Sequence, residues 1–136
     1  MSEKKLYQKF KKEWLKYKNS YVSRVETKFE DGRPDLHIAN QFHVDFFIEL
    51  KFMNKKFRNK KLTIRNSQFV WFYKYTGKIE SFFLFEIENE FYVLSRNKLK
   101  EKLKEFSSPI NFSFFEKNTE KFKTLKDLIK KYQNIK

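Results

Sequence analysis

The chain has 136 residues, 40% hydrophobic and 20% aromatic, with no cysteine, two glycines and two prolines. That is enough for one domain with one real core, and it excludes disulfide scaffolds, thiolate metal sites, cysteine nucleophiles and fibrous or linker-like chains. Lys and Arg number 31 against 17 Asp and Glu, a formal net charge of +14, which favours polyanions: nucleic acid first, acidic membrane second.

Residues 4–18, KKLYQKFKKEWLKYK, carry Leu6, Phe10, Trp14 and Tyr17 at helical spacing with lysines on the other faces; the pattern predicts a helix that buries one stripe. Residues 20–26 alternate and predict a short strand. The segment FEDGRP reads as a turn, in which Gly32 permits unusual dihedrals and Pro34 holds Arg33 extended. Two strands follow, over 35–39 and 44–52, joined by a turn at 40–43. Residues 54–61, NKKFRNKK, form a basic loop. A helix is expected from about Ile64 to Thr76, with Thr63 as N-cap and Gly77 as its stop. Strands over 81–87 and 90–95 meet at Glu88–Asn89. A helix is expected over 96–106, a last strand over 111–116, and a helix over 124–133 that opens on Thr124-x-x-Asp127.

The order helix, strands, helix, strands, helix predicts an α/β architecture in the α+β sense: a central mixed sheet flanked by helices. All of 1–136 reads as a single domain, with a core over about 4–95 and a C-terminal helical and strand extension over about 96–136. No apolar run approaches the roughly 18 residues of a membrane span. The N-terminus has charges where a signal peptide is apolar. A soluble cytoplasmic protein without a membrane partner is expected, in the host cytoplasm if phage-encoded.

The charge does not settle the partner. It is carried by 26 Lys and 5 Arg beside 18 Phe and one alanine, Ala39, which AT-rich codons alone would also produce. The site has to decide. Along 44–52 a period of two places Phe46, Ile48, Leu50 and Phe52 on one face and Asp45, Phe47, Glu49 and Lys51 on the other. Asp35 opens the neighbouring strand, so antiparallel pairing can set its carboxylate beside Glu49. Two carboxylates brought close repel unless a cation sits between them, and hard oxygens of this kind suit Mg²⁺, with Mn²⁺ as a substitute. A lysine beside such an ion can hold a water or a phosphate oxygen. Phosphodiester hydrolysis is the chemistry that uses this set. No nucleophilic serine arrangement is visible, and neither His37 nor His43 has a spacing that suggests zinc.

Pro34-Asp35, followed by Glu49-x-Lys51, resembles the signature of the PD-(D/E)xK nucleases. Gly32-x-Pro34-Asp35-Leu36, Phe47-Ile48-Glu49-Leu50-Lys51 and Ser67-Gln68-x-x-Trp71 with Gly77 resemble the VRR-NUC branch in particular, especially small phage and viral proteins akin to Holliday-junction resolvases. The resemblance spans about residues 10–95. It implies a restriction-endonuclease-like core and Mg²⁺-dependent cleavage of DNA, commonly branched or junction DNA, by a homodimer. It also implies that Asp35 and Glu49 are metal ligands with the Leu50 carbonyl, that Lys51 is catalytic, and that Gln68 orients a water or phosphate. Glu13 and Glu26 compete for the family's additional acidic role. Beside such a site Lys55, Lys56, Arg58, Lys60 and Lys61 become phosphate contacts, with Arg33 and Arg65 flanking them. The strands 81–95 and the C-terminal helix are the expected dimer surfaces. A catalytically silent nucleic-acid-binding module of the same fold, and a basic inhibitor or adaptor, are the alternatives.

Overall fold

The computed structural model describes residues 2–25, 34–53, 61–75 and 77–136. Helix α1 (Glu3–Trp14) opens on Ser2, whose hydroxyl accepts from the Lys5 amide, and buries Leu6, Phe10 and Trp14 along one stripe. It stops four residues short of the expected end. The chain turns there through Asn19, in the left-handed region at φ 65°, which asparagine tolerates better than most residues.

Strands β1 (Tyr21–Arg24), β2 (Leu36–Ala39), β3 (Asp45–Met53), β4 (Glu80–Ile87), β5 (Glu90–Ser95) and β6 (Glu120–Phe122) lie in that order in one six-stranded sheet. Every pairing is antiparallel except β3 with β4, which is parallel. A parallel pair needs a crossover, and α2 (Asn66–Lys74) lies in it. The mixed sheet flanked by helices is the expected α+β architecture.

Each sheet face carries its own core. On one, Leu36, Ile38, Phe46, Ile48, Leu50, Phe82 and Leu84 meet Leu6, Phe10 and Trp14 of α1 and Leu125, Leu128 and Ile129 of α6 (Leu125–Gln133). On the other, Phe47, Phe83, Phe85, Tyr92 and Leu94 meet Trp71 and Phe72 of α2. There α3 (Arg96–Glu101), α4 (Leu103–Phe106) and α5 (Phe112–Lys117) add Leu99, Phe106, Phe112 and Phe115. Strands β4 and β5 are therefore interior and their aromatic residues are covered. They offer no dimer surface, and the apolar side of α6 is spent on the core.

Four local readings need correction. Residues 111–116 are helical, because Asn111 caps the turn by accepting from the Phe114 amide and Phe112 and Phe115 bury together at i, i+3. The helix over 96–106 is two helices, broken at Lys102 with φ −111° and ψ 38°. Strand β6 was not expected at all. Helix α2 starts after Arg65, which gives no side-chain cap, rather than after Thr63.

A buried polar latch ties the end of the chain to the β2–β3 turn. The Asn40 Oδ1 accepts from the Phe42 and Val44 amides, while its Nδ2 donates to the Tyr132 and Ile135 carbonyls. Gln133 donates to the Trp14 carbonyl and accepts from the Gln41 amide. Among the described residues, no helix is long and apolar enough to cross a membrane.

Candidate active site

The β2–β3 register pairs Leu36 with Ile48, so the residue before β2 faces the residue after Ile48. Those residues are Asp35 and Glu49. The Leu50 amide donates to Asp35 Oδ2 at 2.8 Å, which fixes the aspartate against β3. Glu49 is 3% exposed. Gln68, in the first turn of α2, donates from Nε2 to Glu49 Oε2 at 2.7 Å. Lys51 brings its Nζ to 3.6 Å from the same oxygen. Sheet and crossover helix thus bring one aspartate, one glutamate, one lysine and one glutamine together around the middle of β3.

The electrostatics of the cluster are lopsided. Burial, first, and the neighbouring Asp35 charge, second, push the Glu49 carboxyl up to about 8; Lys51 opposes this, while the hydrogen bond to Asp35 and the Glu3 charge add to it. One cationic lysine does not offset desolvation plus a second carboxylate. With no cation present, Glu49 holds a proton near neutrality. Among the described residues the Gln68 Oε1 is buried without a hydrogen-bond partner, an acceptor left open on the side chain that holds Glu49.

These residues fit a small divalent cation. Two carboxylates that repel one another, an unmet buried amide oxygen and the absence of sulfur ligands make a hard-oxygen donor set. Among the described residues no group of three His, Cys, Asp or Glu side chains could hold a metal, so the described acids available to an ion there are the pair Asp35 and Glu49.

Leu50 is buried on the opposite face of β3, in the α1 core. Arg65 is exposed immediately before the helix that carries Gln68, and Lys61 is exposed just upstream. Glu13 is not brought to the cluster. It lies on the last turns of α1, bonded to Lys16 at 2.9 Å, which holds its carboxyl below the usual range, and it lines a cavity with Lys126 and Lys130 of α6. Glu26, Arg33, Lys55, Lys56, Arg58 and Lys60 lie outside the described residues.

Two features of the site were not singled out in the sequence. Glu3, in the first turn of α1, adds a minor charge effect that also raises Glu49, and nothing in the sequence marked it. His37 bonds Asp45 Oδ1 through Nε2 at 3.1 Å, on the sheet face that carries Glu49. Strand alternation placed the two on that face, and only the register made them partners.

No family model matches the sequence, and no curated protein matches it. Among solved structures the chain is similar to Hjc of Archaeoglobus fulgidus, described as a Holliday junction resolvase from an archaeal hyperthermophile. The TM-score is 0.55 at 16% sequence identity, over 96% of this chain and 97% of that one. At that identity the likeness is one of fold: a mixed sheet with flanking helices.

Proposed function

We propose that this protein is a metal-dependent DNA endonuclease of the PD-(D/E)xK type, selective for branched DNA. The carrying observation is the convergence of Asp35, Glu49, Lys51 and Gln68, with Glu49 pushed to about 8 by burial and by Asp35. A carboxyl pair of this kind, with Glu49 buried and Asp35 half-buried beside it, is poised to exchange a proton for a cation. The fold likeness to Hjc supports the reading, and so does the net charge of +14. The motifs around Gly32, Asp35, Glu49 and Gln68 favour the VRR-NUC branch, of phage or viral type, acting as a homodimer.

Asp35, Glu49 and the Leu50 carbonyl would hold Mg²⁺ or Mn²⁺. When bound, that ion supplies an activated water and neutralises charge on the phosphate. Gln68 holds the Glu49 carboxylate through Nε2 and presents Oε1 to orient the attacking water. Lys51, released from Glu49, places its ammonium against the phosphate oxygen on which charge builds. Water adds in line and the P–O3′ bond breaks, leaving a 5′-phosphate and a 3′-hydroxyl. Lys61 and Arg65 contact the flanking backbone, together with the basic residues of 54–60.

The test is a panel of labelled four-way junction, flap, nicked duplex and linear duplex incubated with Mg²⁺ and, separately, with EDTA. Cleavage of the branched forms with Mg²⁺ and none with EDTA is expected. Lys51→Ala should cut at least a hundredfold more slowly while binding the junction within about threefold of wild type. Equal cutting by Asp35→Ala, Lys51→Ala and wild type would overturn the assignment.

A further inference from the structure

Beyond the carboxylate cluster, the same sheet face continues across β2 to the edge strand. Register pairs Tyr21 with Ala39 and Ser23 with His37, so Tyr21, Ser23 and His37 share the side of the sheet that carries Glu49. Val22 on the other side packs into the α1 core. Tyr21 is 50% exposed. The His37 and Asp45 side chains are 34% and 44% exposed. The Tyr21 ring meets His37 edge-on at 6.0 Å, and His37 leans on Phe47 at 5.1 Å. Phe47 is in turn buttressed by Trp71 and Tyr75. The imidazole is therefore fixed on one edge by Asp45 and from below by an aromatic stack.

This surface does not suit a phosphate. Its β1 and β2 positions, Tyr21, Ser23, His37 and Ala39, include no lysine or arginine, while Asp35 and Asp45 both stand beside it. A sugar–phosphate backbone would meet like charge there. A nucleobase would not: it offers a π face to Tyr and His rings and N–H donors to a carboxylate. Asp45 spends Oδ1 on His37; among the described residues its Oδ2 has no partner and can accept from a base.

We infer that Tyr21, His37 and Asp45 form a site for one unpaired nucleobase next to the cleaved phosphate, with Tyr21 stacking the ring, His37 meeting its edge and Asp45 accepting from an exocyclic amine. The inference rests on the nuclease reading of the Asp35–Glu49 cluster and adds to it a reason for preferring branched DNA, where bases are unstacked. Stacking on aromatic side chains tolerates any base. The Asp45 contact favours cytosine, adenine and guanine over thymine, which lacks the amine.

The probe is a three-way DNA junction with one unpaired 2-aminopurine at the branch, compared with the same junction carrying an abasic residue there. Binding is followed in EDTA by anisotropy and by 2-aminopurine quenching, so that no cleavage is needed. Wild type should quench the probe and bind it about tenfold more tightly than the abasic junction. Tyr21→Ala and His37→Ala should lose that preference yet bind the abasic junction as wild type does, and Tyr21→Phe should keep it. Equal wild-type affinity for the two junctions, no binding to either, or an intact preference in both alanine variants would overturn the inference. Cleavage with Mg²⁺ is scored separately. A base preference without cleavage sinks the nuclease reading and leaves the base site standing, and cleavage without a base preference does the reverse.

Discussion

Glu49 combines burial at 3% exposure with a second acid against it and an amide donor on its Oε2. Its carboxyl is raised to about 8 in the folded protein and titrates in the ordinary carboxylate range once unfolded. Between those values the folded state binds a proton that the unfolded chain has lost, so this group's contribution is fully present at low pH and is lost as pH rises to 8 and beyond. In EDTA the melting temperature should fall by several degrees from pH 6 to pH 9, and Glu49→Gln should flatten that fall. Mg²⁺ should raise the melting temperature more at pH 8.5 than at pH 6, because at the lower pH it competes with the proton. Gln68→Leu removes a hydrogen bond to a group that must ionise in order to work, a loss of about 2 kcal/mol. Single-turnover cleavage should slow by roughly tenfold to a hundredfold, with the junction affinity unchanged. Much of this cluster is legible in the sequence because strands have period two: Glu49 and Lys51 must share a face, and Leu50 must not. Glu3 was not legible, since its distance from Glu49 depends on how α1 lies across the sheet.

The secondary-structure elements divide along the same line. Helix α1 shows its buried stripe plainly, with Leu6, Phe10 and Trp14 spaced by four and lysines between them. The long apolar strands β3 and β4 are equally plain, since each is covered on both faces and reads as a nearly continuous hydrophobic run. Phe112-x-Phe114-Phe115 is ambiguous, because strand alternation pairs Phe112 with Phe114 and helical spacing pairs Phe112 with Phe115. The Asn111 cap and the aromatic pocket around Phe85 and Tyr92 decide for the helix. Asn111→Ala should therefore cost about 1 kcal/mol in urea unfolding. Strand β6 was hidden because Glu120-Lys121-Phe122 holds its place by backbone pairing to β5 and leaves no apolar alternation to read. Leu128→Ala, which empties a fully buried position of α6 against α1, should cost about 3 kcal/mol.

For the whole molecule the net charge of +14 and the acidic cluster pull in opposite directions. The general field gathers DNA, while the negative cluster resists the phosphate until a cation is present. DNA affinity should fall steeply between 50 and 200 mM salt, on the order of a thousandfold if about six phosphates are contacted. Added Mg²⁺ should recover part of that loss in wild type and less in an Asp35→Asn variant, as measured by anisotropy. The Asn40–Gln133 latch adds a constraint of another kind. Asn40 uses both acceptor pairs and both donors, so no other side chain replaces it there. The latch bonds from Asn40 to Tyr132 and Ile135, from Gln41 to Gln133 and from Gln133 to Trp14 all join residues more than ninety positions apart in sequence. During synthesis the apolar stripe of α1 emerges more than a hundred residues before the helix that covers it. The core beneath α1 therefore cannot close until residues 125–133 have been made, so the first helix waits for α6 before it is covered.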